Sequence, residues 1–104
     1  MSRVAILDRV TLTAEEARTW LDRMHAEYAP AAERRGMHLT GAWSSPVDGD
    51  AVEVCTLWEL PDIAAFWRMR AEALTDASVD AFWEATDAIA LERHRRVYEP
   101  VDAP

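Results

Sequence analysis

The sequence predicts an α+β domain in the order βαββααβ, a four-stranded antiparallel sheet with helices packed on one face. Three observations in the 104-residue chain carry this. Val4 to Val10 is the β-branched, apolar run of a buried strand. Two arms carrying Trp43 and Trp58 flank Pro46-Val47-Asp48-Gly49-Asp50, the turn signal of a hairpin. The stretches behind Thr13, Asp62 and Asp76 repeat apolar side chains at helical spacing.

The elements follow in order. After the first strand, Thr13-Ala14-Glu15-Glu16 forms a capping box, in which the hydroxyl accepts from the Glu16 amide and the carboxylate reaches back to the Thr13 amide. Ala17, Trp20, Leu21, Met24, Tyr28 and Ala31 line the inner face of this helix, Pro30 bends it, and Gly36 ends it after Arg34 and Arg35. The hairpin strands run from Met37 to Ser45 and from Ala51 to Leu60. Pro61 and Asp62 open a second helix, whose apolar face is Ile63, Phe66, Trp67, the stem of Arg70 and Leu74. Asp76 opens a third helix that turns Val79, Phe82, Trp83, Thr86 and Ile89 inward, and Glu92 to Glu99 is the last strand. With right-handed crossovers this order folds as a ferredoxin-like sandwich. Residues 1–104 form one domain, structured over about 4–100, with 101–104 as a tail.

Hairpin register is the sharpest of these expectations. If Asp48 and Gly49 are a two-residue loop, Val47 faces Asp50, Trp43 faces Val54 and Leu39 faces Trp58. Trp43, Val54, Leu39 and Trp58 then share one face, and His38, Thr40, Ala42, Ser44, Glu53, Cys55 and Leu57 occupy the other.

Composition narrows the function. The net charge is −8, and the eleven basic residues, all arginine, are scattered. Nucleic acid and anionic membranes are poor partners for such a surface, because both are bound by massed positive charge. The one dense basic run, Arg93, Arg95 and Arg96 between Glu92 and Glu99, reads as a solvated edge strand. Cys55 is the only cysteine, so there is no disulfide framework and no thiolate zinc cluster. No apolar run approaches the ~20 residues that span a bilayer, and no signal sequence precedes the first strand, so the expected location is the cytoplasm. The absence of Lys, Asn and Gln fits a GC-rich bacterial genome. A chain of this size buries only roughly 60–70% of its unfolded surface, so an open sheet leaves an apolar face for a second copy to cover.

The chain resembles the NIPSNAP-like branch of the dimeric α/β-barrel superfamily. The resemblance rests on Gly41-x-Trp43 before the turn, Val54-x-x-Leu57-Trp58-Glu59 after it, a helical pair rich in Ala and Arg, and a closing Arg93-x-x-x-Val97-Tyr98 strand. It extends from Val4 to Pro100, with Thr13-Ala14 where relatives often carry Pro-Gly, Val52 for an Asn and Thr56 for a His. It implies a homodimer whose sheets pack face to face into a barrel, with a pocket between sheet and helices in each subunit. It implies no single reaction, since the superfamily hosts cofactor-free monooxygenases, polyketide cyclases, haem proteins and isomerases. Haem would need an axial His on the second helix, which has none.

Within that frame, an indole-walled pocket is bounded by Trp43, Trp58 and Trp67 with Phe66, flat walls suited to a planar ligand. His25 and Tyr28, three residues apart on the first helix, can share a substrate proton. Asp8 interrupts an apolar central strand: it is exposed at the strand end, paired with Arg9 or an arginine of the last strand, or a desolvated base. Arg70 offers charge to a developing enolate or phenolate. No three or four metal ligands stand at metal spacing, and no Gly-rich nucleotide loop is present, so neither metal nor cofactor is expected. Two functions fit: a small cofactor-independent enzyme acting on a planar or polyketide-like metabolite by proton transfer, cyclisation or monooxygenation, and a non-catalytic small-molecule-binding or accessory homodimer.

Overall fold

The computed structural model describes residues 3–101. Its elements are β1 (Val4–Thr13), α1 (Ala14–Arg23), a π-helical turn (Met24–Tyr28), α2 (Ala29–Arg34), β2 (His38–Pro46), β3 (Ala51–Leu60), α3 (Ile63–Ala73), α4 (Ala77–Ile89) and β4 (Glu92–Tyr98). The four strands form one antiparallel sheet in the order β2-β3-β1-β4, the ferredoxin-like topology expected. Part of the expected tail, residues 102–104, lies outside the described residues.

Alternation along β1 sends Val4, Ile6, Asp8, Val10 and Leu12 to the helices, and β3 matches it with Val54, Thr56, Trp58 and Leu60. The helices close over these two strands. Trp20 of α1 is buried and donates its Nε1–H to Thr86 Oγ1 of α4 at 2.9 Å, while the Thr86 hydroxyl donates to the Phe82 carbonyl at 2.9 Å. A polar pair satisfied in this way locks two helices without an unpaired buried group. The opposite sheet face, with Leu7, Cys55, Leu57 and Trp43, carries no covering layer among the described residues.

Side chains cap the N-termini of α1, α3 and α4. Asp62 accepts from the Ala65 amide at 2.8 Å and Asp76 from the Ser78 amide at 2.9 Å. Thr13 accepts from the Glu16 amide as expected, but the Glu16 carboxylate takes the Thr13 hydroxyl proton rather than the Thr13 amide. Thr13 also ends β1, opposite Ala51 of β3. Gly36, at φ +95°, turns the chain out of α2 in a conformation that costs glycine little.

Two expectations fail on geometry. The hairpin loop is one residue longer than a two-residue turn: Val47 donates its amide to the Ala51 carbonyl, leaving Asp48, Gly49 and Asp50 in the loop. Trp43 therefore faces Cys55, not Val54, and stands on the uncovered face while Trp58 is in the core. A bulge between Leu39 and Gly41 restores the expected Leu39–Trp58 pairing further down. Gly41 makes room for the Trp43 indole, since a Cβ there would lie 2.7 Å from it. In α3 the inner face is Ala65, Phe66 and Met69, and Ile63, Trp67 and Leu74 face outward. The small, buried Ala65 lets the helix approach the sheet, which the bulkier stripe would prevent.

Candidate functional site

Asp8 sits in the middle of β1, on the helix side, with Thr56 beside it on β3 and Arg95 beside it on β4. It is 2% exposed. Arg95 grips it in two prongs, Nε to Oδ1 at 2.7 Å and Nη2 to Oδ2 at 2.9 Å, and the same Nη2 donates to the Tyr28 hydroxyl at 3.2 Å. Of the alternatives for Asp8, the pairing with a last-strand arginine is the one observed. Burial works against the Arg95 charge, but the hydrogen bonds and charge of Asp8, with Tyr28 adding to them, more than offset it and hold its pKa above the ordinary arginine value. The guanidinium is therefore a fixed cation.

Tyr28 reaches this pair because the first helix changes pitch. Pro30 has no amide hydrogen to give, and the Ala29 amide reaches back five residues to the Met24 carbonyl, a π-type bond that widens the turn. The inner stripe shifts accordingly, with Ala32 buried rather than Ala31. Around Tyr28 stand Phe82, stacked at 4.9 Å, and Trp58 and Trp83, edge-on at 5.7 and 5.4 Å. The Trp83 indole takes two cations, Arg93 at 4.8 Å and Arg95 at 5.3 Å, and Arg93 is anchored to Asp87 at 2.6 and 3.0 Å.

Beside this network a cleft of about 150 Å³ opens between α3, α4 and β4. Phe66 and Met69 supply its buried apolar wall, Arg95 enters from the sheet, and the exposed Arg70 and Asp80 stand at its rim. Larger hollows lie elsewhere: about 400 Å³ beside Arg34, Arg35, Glu72 and Asp76, and about 230 Å³ on the uncovered sheet face beside Arg9, His94 and Arg96. The former is walled mainly by charged and small side chains. There Arg35 is buried, with Nη1 3.5 Å from Asp76 and Cζ 5.9 Å from the Tyr28 ring centre, while its Nε and Nη2 have no partner among the described residues.

The structure thus gathers Asp8, Tyr28 and Trp58 in one network, and sets Phe66 and Arg70 on the adjoining cleft. Three of the expected residues stand apart. Trp43 is on the other face of the sheet, Trp67 is 59% exposed and meets Phe66 edge-on at 5.2 Å, and His25 points to solvent from the π turn. An indole-walled pocket of Trp43, Trp58 and Trp67 therefore does not form. Arg95 and Trp83 are the members that sequence reasoning missed. The available signal was the period-two spacing of Arg93, Arg95 and Val97, which places both arginines on the face Val97 shares with the core. Among the described residues, no three His, Cys, Asp or Glu side chains gather in metal-binding geometry. No helix among them is long and apolar enough to cross a membrane.

The NIPSNAP family profile matches residues 8–104 of this chain. The chain belongs to the NIPSNAP family. Solved structures agree: a NIPSNAP family protein from Agrobacterium tumefaciens superposes with a TM-score of 0.73 at 14% identity, covering 96% of this chain and 94% of that one. A Bacillus cereus protein provisionally named an antibiotic biosynthesis monooxygenase matches with a TM-score of 0.68 at 12% identity, over 100% and 98% of the two chains. A dimeric ferredoxin-like protein from an uncultured marine organism matches with a TM-score of 0.64 at 11% identity, over 99% and 91%. These likenesses show the fold of a NIPSNAP chain. A comparison with curated proteins finds no match.

Proposed function

We propose that this NIPSNAP protein is a small cofactor-independent cytoplasmic enzyme that takes a planar metabolite into the cleft between α3, α4 and β4 and moves a proton on it. The observation that carries the reading is the buried Asp8, which spends both carboxylate oxygens on orienting Arg95 at the edge of a cleft whose inner wall is apolar. A fixed guanidinium in a partly dry site stabilises the enolate or phenolate that forms when a proton leaves, and Arg70 adds a second positive charge at the rim. Asp8 and Tyr28 are positioning residues in this scheme, because Arg95 is the network member that lines the cleft. Asp80 is the carboxylate at the cleft rim and takes the base role. A second copy of the chain covers the open sheet face and completes a homodimeric barrel.

The test is exchange of acidic C–H protons for deuterium in a panel of aryl ketones and β-dicarbonyl compounds, followed by proton NMR. Wild-type protein accelerates exchange for at least one member, and Asp80→Asn loses the acceleration while retaining binding. Binding without exchange across the panel would refute the enzymatic reading. It would favour the accessory one, to which the tight burial of Trp20 and Trp58 already lends support.

A further inference from the structure

The dimensions and charges of the same cleft specify its ligand more narrowly than a planar metabolite. We infer that the cleft holds a single-ring carboxylate or phenolate, ring inward, with its anionic oxygen on the free edge of Arg95. The inference rests on the reading above that this cleft is the ligand site, and goes beyond it in size class and charge.

Volume sets the size. About 150 Å³ is the space that accommodates one benzene-sized ring in an apolar cavity, and it is smaller than the roughly 300 Å³ at which pockets for larger ligands begin. A fused-ring or polyketide skeleton exceeds this volume and leaves part of its apolar surface in solvent beyond the Arg70–Asp80 rim. The wall at the ring position is Phe66, Met69 and Val79, without a polar side chain among them, and offers no partner for a hydroxylated or sugar-like ligand.

Charge sets the polar group. Nε and Nη2 of Arg95 are committed to Asp8 and Tyr28, whereas Nη1 has no hydrogen-bond partner among the described residues and the side chain lines the cleft. Asp8 and the Trp83 indole hold that guanidinium in place, so Nη1 presents N–H donors in a fixed direction. Arg70 at the rim makes no salt bridge within the described residues and adds attraction, while Asp80, also on the rim, disfavours a second negative charge on the outer end of the ligand. The ligand is a monoanion with its charge at one end.

Benzoate, benzyl alcohol and 2-naphthoate are the probes, titrated into wild-type protein by calorimetry and by Trp83-dependent fluorescence. Benzoate binds, and benzyl alcohol, which lacks the charge, binds at least about tenfold more weakly, the loss expected for one charge-assisted hydrogen bond. 2-Naphthoate, whose second ring is left in solvent beyond the rim, binds no tighter than benzoate. Ala73→Leu, which fills the cleft from α3 without touching the Asp8–Arg95 pair, abolishes benzoate binding with the fold intact by circular dichroism. Arg95→Gln weakens it, and if that variant unfolds, the Ala73→Leu result stands alone. Tighter binding of 2-naphthoate than of benzoate, removed by Ala73→Leu, would overturn the size class and leave the site standing. Benzoate binding indifferent to Ala73→Leu, or no binding of any probe at millimolar concentration, would overturn this inference. Benzoate binding as described, with no proton exchange on the panel, would sink the enzymatic reading alone.

Discussion

Replacing Arg95 by methionine separates a structural pair from a decorative one. The substitution leaves the Asp8 carboxylate in the core with 2% of its surface exposed and no cation beside it. Each charge-assisted hydrogen bond is worth about 1.5–3 kcal/mol. Two of them set a ceiling of about 3–6 kcal/mol, which screening lowers to about 2–4, because the Arg95 side chain is 32% exposed. Stranding the carboxylate raises the cost of Arg95→Met to about 3–5 kcal/mol, whereas Asp8→Asn, which leaves the guanidinium free to turn toward water, costs about 1–3. Asp8→Val with Arg95→Met removes both charges and lies within about 1 kcal/mol of wild type, since apolar replacements of buried pairs are often neutral. Urea unfolding of the four proteins gives these values directly, and thermal scans show them as shifts of roughly 4 °C per kcal/mol. An Arg95→Met protein within about 0.5 kcal/mol of wild type would refute the reasoning. Asp8→Val alone completes the cycle, and a double variant whose loss is the sum of the Asp8→Val and Arg95→Met losses would refute it as well.

Three further outcomes are expected. The Asp87 carboxyl is held below its ordinary range chiefly by the hydrogen bond from Arg93, which outweighs an opposing effect of burial, with the Arg93 charge adding a smaller downward pull. Its contribution to stability is present above the ordinary carboxylate pKa and is lost as pH falls through the lowered one; carbon-13 NMR of Arg93→Gln should show the Asp87 titration moving back up, and no movement would contradict the pairing. Burial first, then the Glu53 charge and hydrogen bond, push the Cys55 thiol up, so iodoacetamide should alkylate it more slowly than a free cysteine at pH 8, with Glu53→Gln faster than wild type. Wild-type protein should sediment as a dimer and Leu57→Glu, on the uncovered sheet face, as a monomer; a monomeric wild type at micromolar concentration would leave that face without the second copy assigned to it.

Much of the fold was legible because its signals are local. Thr13, Asp62 and Asp76 mark helix starts by chemistry that needs only the next few residues, and alternation along β1 assigns its faces without a partner. The hairpin register was not legible, because a loop of Asp48-Gly49 and one of Asp48-Gly49-Asp50 share the same turn chemistry, and one residue decides which face Trp43 takes. The α3 face is not set by side-chain size: helical spacing points the large Ile63 and Trp67 inward, whereas close packing on the sheet favours Ala65 there and leaves both of them exposed. At the site, Asp8, Tyr28 and Phe66 were recognisable as a carboxylate, a phenol and a ring on buried faces. A last-strand partner for Asp8 was legible as one alternative, and the period-two spacing of Arg93, Arg95 and Val97 places two arginines on the inner face, but only the β1–β4 register, which sets Arg95 opposite Asp8 across 87 residues, decides between them. Tyr28 and Arg95 meet only because Pro30 and the π turn set the phenol over the centre of the sheet, a consequence of pitch that helical spacing alone does not reveal.

The most direct test of the central claim, that Arg95 oriented by Asp8 is the ligand anchor, is a crystal structure of the protein with benzoate. The expected density lies between α3, α4 and β4, with a carboxylate oxygen within hydrogen-bond distance of Arg95 Nη1, the ring against Phe66 and the Asp8–Arg95 prongs unchanged. Density for benzoate in the hollow beside Arg34 and Arg35, or on the sheet face beside Arg9 and Arg96, with the α3–α4 cleft empty, would contradict it.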